Sequence, residues 1–278
     1  MKSKKLLKLI MIISVFMITG CANNRTSEKK DETTNELFNN LHKVNLNCSA
    51  IAKVADINEY QNLFITEDGY LYQISYDKIF SNGTNCKQIE SDKKFTRFIK
   101  AGILDSNNDI YYYTNDDVLE LYDPSIGSII MPNMMIEKIP KDLYSNIIYS
   151  DEDQKYGDNQ IYYFYYDSSK KNVYGYSSDL SQMNNEPIFS LEKDEDVEYL
   201  TYGGIKTNKN YYQYSRKEIN KEECEKYADI KCEMKNGFYE IDNEDIKKHW
   251  DQIKFISFSD YYFIVDKKSN FYTNVMGG

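Results

Sequence analysis

Short runs of apolar, aromatic and β-branched residues alternate with small polar clusters along most of this chain. The first clear case is NLFITEDGYLYQISY, Asn62 to Tyr76, where two such runs flank Glu67-Asp68-Gly69. Glycine accepts the positive φ that a tight hairpin turn requires, so the stretch predicts two antiparallel strands and a polar tip. The same arrangement returns in ILDSNNDIYYYT (Ile103 to Thr114), in IYYFYYDSSKKNVYGY (Ile161 to Tyr176) around Asp167 to Asn172, in GIKTNKNYYQY (Gly204 to Tyr214) and in FISFSDYYFIVDKKSNFYT (Phe255 to Thr273). The expected fold class is all-β or mainly β.

A further segment, VLELYDPSIGSII at Val118 to Ile130, places a turn at Asp123-Pro124-Ser125 and Gly127 between apolar strands. It resembles the outer hairpin of a β-propeller blade, and TEDGYLY at Thr66 to Tyr72 is similar to the blade hairpins of several propeller families. The two resemblances cover about half of the mature chain, and no tryptophan or His-Asp signature assigns a particular propeller family. The hairpin tips fall near residues 68, 107, 169, 208 and 268, with gaps of about 40 and about 60, close to the ~40 to 50 residues of a blade repeat. Repeated four-stranded units bury apolar faces that a lone hairpin leaves in water, and the length suits about five blades. An irregular β-sandwich and an open meander remain the alternatives.

Three stretches depart from the strand pattern. Ser215-Arg216-Lys217-Glu218 has the form of a capping box, which predicts a short solvated helix over Arg216 to Ala228, inserted between strands. Two other short helices are expected over Asn243 to Trp250 and Asn35 to His42.

The beginning of the chain follows different physics. Lys2, Lys4, Lys5 and Lys8 form a cationic head, and Leu9 to Ile18 is apolar except for Ser14. That order matches a secretory signal, and the run is shorter than the ~20 apolar residues of a bilayer-spanning helix. Ile18-Thr19-Gly20-Cys21 then resembles the lipobox of bacterial lipoproteins, with Ile18 where that family usually has Leu. The resemblance implies cleavage between Gly20 and Cys21 and a diacylglyceryl group on the Cys21 thiol, and two acyl chains suffice for stable membrane attachment. Residues 22 to 34, ANNRTSEKKDETT, cannot bury enough surface to fold and read as a flexible tether. The expected organisation is a signal peptide over residues 1–20, a tether over 21–34 and a propeller-like domain over 35–278.

Charge and composition narrow the partners. Removing residues 1–20 takes away four lysines and no acid, which moves the net charge from −10 to −14 and argues against nucleic acid. Apart from Cys21, four cysteines remain in an exported chain: Cys48, Cys86, Cys224 and Cys232. An even number suits disulfides, with three pairings open; Cys48 with Cys86 and Cys224 with Cys232 close the smallest loops. Only two histidines, His42 and His249, and no CxxC speak against a zinc site, and no cofactor is expected. Asp105, Asn107 and Asp109 alternate oxygen ligands as a calcium loop does, but Ile110 stands where such a loop needs glycine, so a hairpin turn is the stronger expectation. Asp151-Glu152-Asp153 and Asp194-Glu195-Asp196 read as hydrated loops or contacts for a basic partner.

No GxSxG, P-loop or GxGxxG motif marks a catalytic centre. The 27 tyrosines are a stronger signal, and Tyr111, Tyr113, Tyr163, Tyr165 and Tyr211 are candidates for an exposed ligand platform. Consecutive strand residues face opposite ways, so some of these rings must enter the core. The expected role is a non-catalytic, membrane-anchored binding module for an envelope glycan, peptide or protein. Two alternatives stay open: an envelope hydrolase with paired carboxylates, and a structural or protective surface lipoprotein.

Overall fold

The first strand of each repeat is short, and apart from the exposed Thr96 and Glu198 its side chains are buried or half-buried on both faces, because in this protein sheets stack upon sheets. The computed structural model describes residues 37–44, 46–58, 62–74, 84–99, 102–114, 118–123, 139–148, 155–156, 159–177, 186–218, 226, 234–258 and 261–274. Apart from Leu37 these belong to one unit, Phe38–Gly278. Two strands come first, β1 (His42–Val44) and β2 (Leu46–Asn47).

Five small sheets follow around an axis, and together they make a five-bladed β-propeller. Blade 1 holds β3 (Val54–Asn58), β4 (Leu63–Thr66), β5 (Leu71–Ile74) and β6 (Thr84–Gln88), with β2 added parallel to β6. Blade 2 holds β7 (Phe95–Ile99), β8 (Gly102–Asp105), β9 (Ile110–Tyr113) and β10 (Leu119–Leu121). Blade 3 is built from β11 (Ile147–Ile148), β12 (Lys155–Tyr156), β13 (Asn159–Asp167), β14 (Asn172–Ser177) and β15 (Phe189–Ser190). Blade 4 is β16 (Val197–Leu200), β17 (Gly204–Thr207), β18 (Tyr211–Glu218) and β19 (Met234–Glu240). Blade 5 takes β20 (Ile253–Phe258), β21 (Tyr262–Asp266) and β22 (Phe271–Thr273) from the end of the chain and β1 from its start. That mixed sheet closes the ring.

The five hairpins expected from sequence are the second and third strands of the five blades. One device shapes all of them: a Thr or Asp ends the second strand, and its side-chain oxygen accepts backbone amides of the turn. Thr66 Oγ1 takes Tyr70 N, Asp105 Oδ1 takes Asn107 N and Asp109 N, and Asp167 Oδ1 takes Ser169 N and Lys170 N. Thr207 Oγ1 takes Lys209 N and Asn210 N, and Asp266 Oδ1 takes Lys268 N and Asn270 N. In blades 1, 2, 3 and 5 the residue that closes the turn has positive φ: Gly69 at 81°, Asn108 at 58°, Lys171 at 56° and Ser269 at 68°. Such a turn with a left-handed closing residue matches the twist of the strands it joins.

Apolar clusters fill the spaces between neighbouring blades. Leu63, Ile65 and Leu71 of blade 1 meet Phe98, Ile103 and Tyr111 of blade 2. Leu104 and Ile110 meet Ile147 and Tyr163 of blade 3, and Phe164 and Val173 meet Ile205, Tyr214 and Phe238 of blade 4. Blade 5 packs Phe255, Phe263 and Phe271 on Val54, Ile57 and Phe64 of blade 1. A blade covered on both faces needs apolar residues at successive positions, so β4, β8 and β17 are buried throughout. At the start of β8, Gly102 has φ of 139° and lies so close to β9 that a Cβ would stand 2.2 Å from the Tyr111 carbonyl.

The helix expectations need correction. Tyr211–Glu218 is one strand, and Arg216, Lys217 and Glu218 pair with Asn236, Lys235 and Met234 of β19. A continuous ladder satisfies the backbone of residues 215–218 better than a local cap; of the remaining predicted helix only Lys226 is described, in helical conformation. No helix occupies residues 37–41, and His42 is already in β1. The third is present as α1 (Glu244–Lys248), where Asn243 accepts the amides of Asp245 and Ile246, followed by a 3-10 turn at Trp250–Gln252. Cys21, Gly20, the tether, Cys224, Cys232 and Asp151 to Asp153 lie outside the described residues.

Candidate functional site: a cleft at the axis

The first strands surround the axis, and four of them carry the same irregularity. The pairing of first with second strand shifts between Val54 and Asp56, Phe95 and Arg97, Val197 and Tyr199, and Ile253 and Phe255. An extra residue in a strand re-aims the side chains that follow it. Here the following residues reach across to the next blade. Asp56 Oδ2 accepts Phe98 N at 2.8 Å, and Tyr199 Oη accepts Ile256 N at 2.6 Å. Arg97 Nη1 donates to the Ser145 carbonyl at 2.6 Å. The ring is thus braced by side-chain bonds from one first strand to its neighbour.

Lysines brace the same junctions further out. Lys94 Nζ lies 3.1 Å from the centre of the Tyr70 ring, and Lys141 Nζ meets Asp109 Oδ1 at 2.5 Å. Lys171 Nζ donates to Lys193 O at 3.1 Å, Glu195 O at 2.6 Å and Asp196 Oδ1 at 2.9 Å. Lys206 pairs with Glu198 and stands 4.7 Å above the Trp250 ring, and Lys254 bonds the Ala52 carbonyl and pairs with Glu67 at 3.0 Å.

A cleft of about 500 Å³ opens among these braces. Its walls come from the starts of β3, β7 and β16, from Ser145 and Asn146 ahead of β11, and from Tyr166, Ser168 and Lys171 at the blade 3 hairpin tip. Such a volume is that of a small-molecule pocket. Arg97 lines it and is 6% exposed. Burial lowers its guanidinium pKa to about 10, so it stays cationic at neutral pH. Asp56, fully buried behind the wall, is pushed up to about 7 by desolvation, against the opposing pull of Arg97 and of backbone amides.

The sequence-predicted residues fall elsewhere. Tyr111, Tyr163 and Tyr211 are 8%, 1% and 1% exposed and sit in the packing between blades. Tyr111 meets Phe95 edge-on at 5.6 Å, and Tyr211 Oη is hydrogen-bonded to Thr201 Oγ1 at 2.5 Å. Tyr113 and Tyr165 pack partly buried against the clusters on either side of blade 2. These five do not share one exposed face. Asp105 directs its carboxylate at the Asn107 and Asp109 amides, both at 2.8 Å, and Asp109 pairs with Lys141. Among the described residues no group of His, Cys, Asp and Glu is arranged to hold a metal.

In the acidic triplet, Glu195 is 1% exposed and accepts Tyr212 Oη and Thr207 Oγ1, while Asp194 pairs with Lys209 and Asp196 with Lys171. Cys48 and Cys86 form a disulfide beside the β2–β6 pair, with Cα atoms 5.5 Å apart. His249 packs edge-on against Phe38 and Trp250 against Lys206, so these neighbours serve different contacts. Sequence inspection overlooked Arg97 and Asp56 because each is a single charged residue in a short strand, with no motif around it. In hindsight KKFTRFIK carries a signal: a charge set between Phe95 and Phe98 inside a buried run has to be paired or used.

The fold is a five-bladed propeller, and its cleft has a mixed polar and apolar wall that includes Arg97. Neither the protein-family models, nor the curated proteins, nor the solved structures compared with this chain include a match to it.

Proposed function

We propose that this chain is a lipid-anchored binding protein on the extracytoplasmic face of a bacterial membrane, and that its propeller engages a cell-envelope glycan, peptide or protein without catalysing a reaction. The axial cleft carries the binding part of this reading: it has pocket size and hydroxyl, amide, aromatic and cationic groups in its walls. The two nearest acids favour binding over hydrolysis. Asp196 is held by Lys171, and Asp56 has both oxygens engaged, Oδ1 by Ile57 N and Oδ2 by Phe98 N, so these two do not form a free carboxylate pair among the described residues. The lipobox-like stretch ending in Cys21 supports the location.

Mass spectrometry of the native product tests the location, with acylated Cys21 as the first residue expected; a bare thiol, or residues 1–20 still attached, overturns it. Detergent-solubilised full-length protein on glycan and peptide arrays tests the role. Retained ligand above background is expected; background signal on both arrays, or cleavage of an arrayed glycan, overturns it.

A further inference from the structure

The ring of braces has a gap, and the cleft lies at it. In blades 1, 2, 4 and 5 the first strand carries a bulge, whereas β11 of blade 3 pairs with β13 in unbroken register. Its two residues, Ile147 and Ile148, are fully buried and aliphatic, so neither can bond the backbone of blade 4 as Asp56 and Tyr199 bond the blades that follow them. The polar groups at this seam are those just ahead of β11 and at the blade 3 turn. Ser145 and Ser168 are exposed and Asn146 is half-buried; all three line the cleft, and none of their side chains hydrogen-bonds another described residue.

The charges of the wall are spent within the protein. Lys171 donates to Lys193 O, Glu195 O and Asp196 Oδ1, so lysine and aspartate neutralise each other. Arg97 is 6% exposed, with Nη1 on Ser145 O, Nη2 on Thr201 O and Nε closed to solvent, and it presents little cationic surface to the cleft. A ligand anchored by a full charge needs an opposite charge that is not already neutralised, and this wall offers neutral groups instead. We propose that the axial cleft is a subsite for a neutral saccharide, whose hydroxyls are bonded by Ser145, Asn146 and Ser168. This rests on the reading of the cleft as the binding site and specifies what enters it. A sugar hydroxyl both donates and accepts, and serine hydroxyls and a carboxamide do the same, so they match it in either direction without a charge. Ala55, Val197 and Leu200 give the C–H face of the sugar ring an apolar surface to cover. A peptide finds less here, because its termini meet no free counter-charge and its backbone donors and acceptors cannot rotate to fit.

Titration calorimetry on full-length protein in detergent tests the assignment. The neutral probes are D-glucose, D-galactose, D-mannose, N-acetyl-D-glucosamine and chitotriose. D-glucuronate and D-glucosamine carry one charge each, and N-acetyl-dialanine amide stands for a peptide. At least one neutral sugar binds, the charged sugars bind no tighter, and raising salt from about 0.05 M to about 0.5 M leaves its affinity within about twofold. Asn146→Ala and Ser168→Ala each remove one unbonded group and weaken that sugar about threefold to tenfold. Because neither side chain hydrogen-bonds another described residue, the melting temperature of both variants stays unchanged and the loss is one of binding. If a charged probe or the peptide binds tighter than every neutral sugar and both variants weaken it, the cleft is a binding site but the saccharide assignment is overturned. If nothing binds up to on the order of 10 mM, or binding ignores both variants, the assignment falls together with the cleft itself.

Discussion

The carboxylate of Asp56, on the first strand of blade 1, accepts the backbone amide of Phe98, on the first strand of blade 2, at 2.8 Å. This single bond crosses a blade boundary at the axis, where no water competes for it. Asp56 is completely buried and its pKa is raised from 3.8 to about 7, chiefly by desolvation.

That shift has a definite sign in stability. The folded chain holds the Asp56 proton more tightly than the unfolded chain does, so the contribution is full below the ordinary carboxylate range and is lost as pH rises through about 7. Asp68, Asp167 and Asp194 are shifted downward by hydrogen bonds and lysines and act in the opposite sense, but they lie at the surface, where solvent weakens the effect. A difference curve isolates Asp56. Stability of the full-length chain relative to Asp56→Asn falls between about pH 4 and about pH 7 in urea titrations, and a flat difference contradicts the buried protonation.

The equivalent brace between blades 4 and 5 carries no charge and is simpler to remove. Tyr199 Oη accepts Ile256 N, while its ring stacks on Phe255 with centroids 5.3 Å apart. Tyr199→Phe keeps the ring and deletes the acceptor, leaving a buried amide unpaired. The expected cost is about 1 to 3 kcal/mol, measured by chemical denaturation. A neutral result means that this bond adds nothing to a junction also held by packing and by Phe258 N donating to Tyr211 Oη.

How much of this was written in the chain follows from which interactions are local. Glu67-Asp68-Gly69 and Asp105 to Asp109 announce their hairpins because turn, cap and positive φ lie within five consecutive residues. The first strands give no such signal: Val54–Asn58 and Val197–Leu200 are short, and what fixes them is a neighbouring blade far away in sequence. Ser215 to Glu218 misled for the same reason, since its ladder partners at 234–237 outweigh a local cap. The tyrosine runs were legible as aromatic packing but not as to which face meets which blade. Arg97 could be recognised as unusual only once both of its faces were known to be covered.

The disulfide between Cys48 and Cys86 fastens the start of the domain to blade 1, beside the parallel pair of Leu46 with Thr84 and Asn47 with Asn85. Its partners are 38 residues apart, a loop whose closure is worth up to about 4 kcal/mol in the chain-entropy account. β1, which closes the ring through His42 to Val44 against β22, lies only a few residues upstream. Reduction, or Cys48→Ala with Cys86→Ala, lowers the melting temperature and raises hydrogen exchange in β1 and β2 before the other blades respond. Uniform exchange across all blades argues that the clasp does not act on ring closure.

The turn caps allow a comparison in which chemistry is constant and burial is not. Asp266 is 4% exposed, and its Oδ1 accepts Lys268 N at 2.9 Å and Asn270 N at 2.8 Å, while Oδ2 accepts Asn270 Nδ2 at 2.8 Å and Tyr272 Oη at 3.3 Å. Asp167 caps the blade 3 turn through Ser169 N at 3.0 Å and Lys170 N at 3.3 Å, but its tip faces water and an exposed lysine. Water replaces what Asp167 supplies, whereas Asp266→Ala takes an acceptor from three part-buried donors and the buried Tyr272 Oη at once. Asp266→Ala therefore costs about 2 to 4 kcal/mol and Asp167→Ala about 0.5 to 1 kcal/mol. Denaturant midpoints of the two variants at unchanged m-value test the ordering, and equal losses mean that burial is not what sets the worth of a cap in this propeller.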